Sequence, residues 1–335
     1  MDSAMEAAFS EGMLRRTGRY RHVVFADAIN GAQRALDLAP VPADECDTPI
    51  DAGDNAFLAW LFQRGGVDVR NYRAETLARR LPACLRRLRV TNVSQARAVL
   101  QKNPQLVNDA LSSILIGVTE FFRDQNVFDE LAQHVLPALL TSKRRRGGSL
   151  RVWSVGCSNG AELYSVAMLL AELGAGLNIE LPAIELLGTD CRIEATRFAA
   201  QGVYDLQALE GVSSQRLDRH FAPVPMPIDA HSRGQQSRGQ QSGTQDKRWR
   251  IVAPLRAMTH WRTADALATA EPGPWDLVLC RNTAMYLKSS AASALWNRLS
   301  NTLSHGGYLL LGKAERPGGA AGLACIGQYL YRRTG

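Results

Sequence analysis

The run Leu150-Arg151-Val152-Trp153-Ser154-Val155 breaks at Gly156-Cys157-Ser158-Asn159-Gly160 and resumes at once as a helical pattern, Ala161-Glu162-Leu163-Tyr164-Ser165. Strand, small-residue loop and helix in that order read as the first unit of a Rossmann-like sheet. Glycine at the end of such a strand lets the backbone approach a nucleotide-like ligand, and the following helix points unpaired N–H groups at it. A single loop of this kind is weak evidence, so its weight rests on its surroundings: Thr119-Glu120-Phe121-Phe122-Arg123 upstream, Gly188-Thr189-Asp190 downstream, and Cys280-Arg281-Asn282 near the end.

Apolar residues follow different periods on the two sides of residue 150. From 56 to about 140 they recur at three and four, as in Leu77, Leu81, Leu85 and Leu88, or Leu111, Ile114, Leu115 and Val118, which predicts a small helical domain over 55–140. Pro82 is expected to kink or restart its helix. From 150 short apolar strands alternate with helices: strands at 150–156, 185–190, 275–280, 307–312 and 326–332, helices at 160–174, 192–201 and 289–303. The alternation predicts an α/β fold with a largely parallel, doubly wound sheet over 150–335. Residues 1–54, with one expected helical stretch at 20–38, read as an N-terminal extension. The pentapeptide Ser-Arg-Gly-Gln-Gln occurs twice between 232 and 241, and 231–247 is too polar to pack a core, which predicts a disordered surface insertion.

At 335 residues and 46% hydrophobic content the chain can bury one large core or two smaller ones. No apolar stretch near the N-terminus or elsewhere has the length of a secretory signal or a membrane span, so a cytoplasmic protein without membrane insertion is expected. The six cysteines and six histidines show neither Cys-x-x-Cys nor His-x-x-x-His, which favours reduced thiols and no metal. The net charge of +7 suits an acidic partner. Arg79, Arg80, Arg86 and Arg87 fall roughly opposite the Leu77-Leu81-Leu85 stripe on a helical wheel, giving a basic outer face. Aromatic residues are only 7% of the chain and none is interleaved with these arginines, so nucleic acid ranks below an acidic protein surface.

Several groups could carry chemistry. Asp190 ends the second strand, where an acid can accept both hydroxyls of a ribose, although an acid there can equally cap the next helix. Glu162 sits in the first turn of a helix, where the dipole alone favours it. Arg123 offers a planar fork for a carboxylate, and Phe121 and Phe122 can bury a ligand or simply an interdomain seam. Arg281, Asn282 and Tyr286 follow the strand at 275–280 on the edge where open sheets bind ligands. Gly156-Cys157-Ser158-Asn159-Gly160 also fits the Gly-x-Ser-x-Gly elbow of hydrolases, with Asp276 and His305 in triad order. That elbow comes late in its sheet, however, whereas everything upstream here reads as helical.

Read together, these segments resemble the CheR family, the S-adenosylmethionine-dependent methyltransferases that esterify glutamates on chemoreceptors. The resemblance spans roughly 55–333. It rests on Arg79-Arg80-Leu81…Leu85-Arg86, Val118 to Asp124, Trp153-Ser154…Gly160…Glu162…Tyr164-Ser165, Gly188-Thr189-Asp190, Gly202-Val203-Tyr204, Trp275-Asp276…Cys280-Arg281-Asn282…Tyr286 and Gly306-Gly307-Tyr308…Gly312…Glu315. It implies a helical N-terminal domain, a Rossmann-like methyltransferase domain, and a β-subdomain inserted at 203–255. It also implies roles for single residues. Thr119 and Arg123 would hold the methionine end of S-adenosylmethionine, Glu162 would lie near its amino group, and Gly156 would lie under it. Asp190 would take the ribose, Arg281 and Asn282 would add further contacts, and Tyr286 would lie near the transferring methyl. Arg79, Arg80, Arg86 and Arg87 would dock the acidic methylation helix of a chemoreceptor-like substrate.

The chain departs from the family pattern at three places. Gly117 stands where the family usually has Asn, Gly160-Ala161-Glu162-Leu163 replaces Gly-Glu-Glu-Pro, and the expected Asn-Leu pair has Asp265-Ala266-Leu267 as its nearest match, which puts Asp265 among the cofactor contacts. These departures motivate a second reading, a CheR-like binding or regulatory module with weakened catalysis.

Overall fold

Ten strands form among the described residues: β1 (Leu150–Val155), β2 (Ile184–Asp190), β3 (Val203–Asp205), β4 (Phe221–Val224), β5 (Arg248–Ile251), β6 (Thr259–Thr263), β7 (Trp275–Cys280), β8 (Leu303–Leu311), β9 (Leu323–Cys325) and β10 (Leu330–Arg333). The computed structural model describes residues 51–115, 117, 119–177, 180–224, 247–318 and 322–335. The expected helix at 20–38 and nearly all of the 231–247 segment lie outside them. Seven strands make one sheet in the order β6-β2-β1-β7-β8-β10-β9. The first five are mutually parallel, β10 runs antiparallel to β8, and β9 runs antiparallel to β10.

The central strands are mostly apolar because both faces of the sheet are covered. Side chains alternate between faces along a strand. Val152, Leu277 and Leu279 pack on one side with α7 (Leu136–Arg146) and α8 (Ala161–Leu177). Trp153, Val155, Val278 and Cys280 pack on the other with α12 (Ser289–Thr302) and with the N-terminal helices. Those helices are α1 (Ala52–Arg64), α2 (Ala74–Ala78), α3 (Leu81–Leu88), α4 (Val93–Lys102) and α5 (Val107–Ile114). Phe57, Leu61, Leu77 and Leu111 join the same core as Trp153 and Leu295. The segment α6 (Gln125–Glu130) leads into α7, α9 (Ile193–Gln201) follows β2, and the short α10 (Ser214–His220) and α11 (Ala253–Ala257) flank a three-stranded antiparallel sheet, β3-β5-β4.

Four expectations from the sequence need correction. The first helix starts at Ala52, before residue 55, because the Asp51 carboxylate accepts the N–H groups of Gly53 (2.8 Å) and Asp54 (3.3 Å) and caps it. Leu77 to Leu88 forms two helices, the restart expected at Pro82, which sits in the first turn of α3 where its missing N–H costs nothing. The single helical wheel therefore fails for Arg79 and Arg80, which lie in the link between α2 and α3. β8 begins at Leu303 rather than 307, since Leu303 pairs with Trp275. The last expected strand is two, β9 and β10, turned back on each other across residues 326–329.

β1 has β2 on one side and β7 on the other. The chain leaves β1 through α8 to reach β2, while the connection that carries Arg281 to Tyr286 leaves β7. Loops of neighbouring strands thus diverge at the carboxyl edge, and an open crevice forms there.

Candidate functional site

The crevice is open to solvent at its mouth. It brings together every residue the sequence pointed to as a cofactor or catalytic group: Thr119 and Arg123 before α6, Gly156 and Glu162 around the first loop, Asp190 at the end of β2, Asp265 after β6, and Arg281, Asn282 and Tyr286 after β7. Arg79, Arg86 and Arg87 are exposed on the helical side, Arg80 is half-buried, and none of the four lines the crevice. Arg87 pairs with Asp109 at 3.0 Å.

Three residues of the first loop, Gly156, Ser158 and Gly160, take positive φ. Gly156 has φ +66, and a Cβ there would lie 2.6 Å from Thr283 Oγ1, so the loops after β1 and β7 touch through a gap that only glycine leaves. Ser158, at φ 51, donates its N–H to Asp190 Oδ2 (2.9 Å) and its hydroxyl to the Gly117 carbonyl. Asp190 does not cap α9, whose N-cap is Arg192. Its Oδ1 instead accepts the Arg192 N–H and Nε, both at 2.9 Å, and its Oδ2 accepts Arg192 NH2 at 3.0 Å. The space that Gly117 leaves open holds this guanidinium: a Cβ on Gly117 would be 2.0 Å from NH1 and NH2. Burial pushes the neighbouring Cys191 thiol up to about 12.

At the other end Glu162 is buried in the first turn of α8. Its Oε1 accepts the Ser154 hydroxyl (2.9 Å), and its Oε2 accepts Arg281 NH1 (3.2 Å). Arg281 also donates from NH2 to Asp124 Oδ2 (2.7 Å) and to the Arg123 carbonyl (2.8 Å). Lys313 completes the network on Asp124 Oδ1 at 2.6 Å. Arg281 Nε is buried with no hydrogen-bond partner among the described residues. Phe122 and Asp124 take left-handed φ values of 54 and 61 on either side of Arg123. Phe121 packs edge-on against Tyr204 and Phe221, and Phe122 against Phe128, so both phenylalanines are core.

The loop that carries Asn282 and Tyr286 is held by Glu315. Its carboxylate accepts the N–H groups of Asn282 (2.8 Å), Thr283 (2.8 Å), Ala284 (2.7 Å) and Gly312 (2.9 Å). Burial raises this carboxyl above the ordinary range even against those four bonds. The N-terminal helical side touches the same loop, through Arg73 N–H on the Tyr286 carbonyl (3.0 Å) and Lys288 N–H on the Asn71 carbonyl (2.9 Å). After β6, Asp265 accepts the Leu267 N–H (2.9 Å), and burial raises its carboxyl. Arg298 of α12 fixes that turn by donating to the Ala266 carbonyl (2.7 Å).

Sequence reasoning passed over Arg192 and gave Glu315 no role. For Arg192 the one available signal was its place two residues after Asp190. The hydrolase elbow is excluded by position: Asp276 lies at the start of β7, where it accepts the Arg151 N–H (2.9 Å) and pairs with Lys143 (2.9 Å), at the opposite edge from Ser158.

Taken together, the crevice brings the carboxylates of Asp190, Glu162 and Asp265 and the cationic guanidinium groups of Arg123 and Arg281 around a glycine loop. That set of charges matches S-adenosylmethionine in chemical kind.

Comparison with known proteins agrees. Residues 117–227 and 235–321 match the family described as CheR methyltransferase, SAM binding domain, and residues 53–115 match the CheR methyltransferase all-alpha domain. The chain is 27% identical to a chemotaxis protein methyltransferase of Listeria monocytogenes, over 80% of this chain and 92% of that one. It is 32% identical to chemotaxis protein methyltransferase 1 of Pseudomonas aeruginosa, over 63% and 69% of the two chains. The chemotaxis protein methyltransferase of Escherichia coli is 27% identical over 76% and 81%.

Proposed function

This chain belongs to the CheR family of methyltransferases, and we propose that it forms methyl esters on glutamate side chains of a chemoreceptor-like signalling protein. It depends on S-adenosylmethionine as methyl donor. The observation that carries the finer reading is the crevice itself: acids and guanidinium groups from separate stretches of chain converge beside Tyr286 at the edge of a basic helical segment.

When bound, S-adenosylmethionine supplies a methyl group on a positively charged sulfur, open to displacement by an oxygen. A glutamate carboxylate is ionised near neutral pH and attacks without a base. The protein's work is then alignment and exclusion of water. In this reading Asp190 accepts the ribose hydroxyls, Asp265 contacts the adenine, and Glu162 takes the ammonium, held in place by Ser154 and Arg281. Thr119 and Arg123 bind the carboxylate of the methionine end, and Gly156 gives the loop its close approach. Asn282 lines the wall between them, and the Tyr286 hydroxyl donates to the attacking glutamate oxygen. Arg79, Arg80, Arg86 and Arg87 attract the acidic helix that carries that glutamate.

The test is methyl-labelled S-adenosylmethionine with receptor cytoplasmic fragments as acceptors. Label released as methanol by mild base, and lost in Arg123→Ala while the fold is kept, is the expected result. Label that resists base, or equal turnover by Arg123→Ala, overturns the reading. Cofactor binding with no transfer to any receptor fragment would instead favour a binding or regulatory module.

A further inference from the structure

The acceptor sites of Asp190 are already filled. Oδ1 receives the backbone N–H and Nε of Arg192, and Oδ2 receives the Ser158 N–H and Arg192 NH2, all at 2.9 to 3.0 Å. A carboxylate has about four lone-pair sites, and four donors meet them here. Two of the four come from one guanidinium in the planar fork that suits a carboxylate best. The pair is sequestered, with side chains 11% and 5% exposed.

We infer that Arg192 is a latch on the nucleoside seat, a residue that sets cofactor affinity by occupying the acceptor sites the ribose hydroxyls require. The inference rests on the placement of the ribose at Asp190 proposed above. Without displacement of the guanidinium, a diol arriving at Asp190 finds no lone pair to donate to. With it displaced, the two vacated sites equal the two hydroxyls in number, and the Ser158 and Arg192 N–H groups keep the carboxylate oriented.

Two features make the latch able to open. Its third nitrogen, NH1, reaches only the Leu115 carbonyl among the described residues, at 3.5 Å, a distance at which little is gained. The guanidinium also rests against Gly117, where a Cβ would stand 2.0 Å from NH1 and NH2, so the closed position exists because residue 117 has no side chain. The apparent affinity for a nucleoside is then the affinity of the open form reduced by the fraction of molecules that are open.

Calorimetric titration of the full chain with S-adenosylhomocysteine and with adenosine tests this. Arg192→Ala removes the latch, and Gly117→Ala evicts it while leaving every polar group in place. Each is expected to tighten both ligands by about tenfold or more, equivalent to about 1.4 kcal/mol. Asp190→Ala is expected to weaken both, and in that background Arg192→Ala should change nothing. Binding gained by either latch variant where the unaltered chain shows none counts as the same result. Weaker or unchanged binding by Arg192→Ala and Gly117→Ala, with Asp190→Ala still weakening it, overturns the latch alone. Undiminished binding by Asp190→Ala overturns the ribose placement and the latch with it. Gly117→Ala decides the matter if Arg192→Ala does not fold.

Discussion

Arg281 NH1 stands 3.2 Å from Glu162 Oε2, joining the end of β7 to the first turn of α8 beneath the crevice. The Arg281 side chain is 2% exposed, and it carries Asp124 as well at 2.7 Å. Removing one partner of a buried pair leaves the other charged and unpaired. Arg281→Ala leaves Glu162 without a cation and Asp124 with Lys313 alone, and it is expected to lower unfolding stability by about 3 kcal/mol or more. Urea denaturation measures this. A midpoint within error of the unaltered protein would mean that the network contributes nothing net.

Glu315 offers the second prediction. In Glu315→Gln the amide keeps one acceptor oxygen and turns an NH2 toward two of the four backbone N–H groups that the carboxylate satisfied. The expected cost is about 2 to 4 kcal/mol from donors left buried without partners. The loop bearing Tyr286 also loses its anchor. At saturating cofactor, methyl transfer is expected to fall by about tenfold to a hundredfold, the scale of a small misplacement of reacting groups. Unchanged kcat in the folded variant would leave Glu315 with no part in placing Tyr286.

Glu172 on α8 gives the fold a defined acid response. Burial alone would raise its carboxyl, but hydrogen bonds from His220 and Arg216 on α10 outweigh that and bring it down to about 2. A depressed carboxyl stabilises the folded state above its unfolded value near 4.5, and the contribution is lost as pH falls from there toward 2. At neutral pH the contribution is about 3 kcal/mol. Glu172→Gln should therefore be less stable than the unaltered protein at pH 7 and approach it near pH 2 to 3. Parallel stability curves for the two proteins across that range would remove Glu172 as the source.

The relation of sequence to structure differs between the sheet and the site. β1, β2 and β7 were legible because strands covered on both faces are mostly apolar, and such runs stand out when glycine loops and helices separate them. The start of β8 was hidden because Ser304, His305 and Gly306 are polar or small, although the strand already pairs with Trp275 at Leu303. At the site, Asp190, Glu162 and Arg281 were found because each stands at the end of an apolar strand or the start of the helix after one. Glu315 had no assigned role because its partners lie 31 to 33 residues earlier for Ala284, Thr283 and Asn282, and no local period reports such a return. Arg192 shows the sharper limit. Nothing in the order Asp190-Cys191-Arg192 says whether a guanidinium turns to solvent or folds back on the carboxylate, and the berth that decides it, at Gly117, is far away in the chain.

The basic helical face yields a prediction that separates docking from chemistry. Arg86 and Arg87 are exposed on α3, outside the crevice, and the Arg87 pair with Asp109 has side chains 63% and 37% exposed, so it adds little to stability. Reversing both charges, Arg86→Glu with Arg87→Glu, is expected to leave the urea midpoint nearly unchanged. Cofactor binding should be unaltered as well, since neither residue lines the crevice. If an acidic receptor helix docks on this face, like charges would then oppose the encounter, and KM for a receptor fragment should rise about tenfold or more at low salt with kcat little changed. The difference between the two proteins should shrink as salt is raised, because charges this exposed are screened over about 10 Å at 0.1 M ionic strength. A fall in kcat at unchanged KM would place the two arginines in the chemistry instead. Unchanged KM and kcat would show that the substrate docks on a different surface.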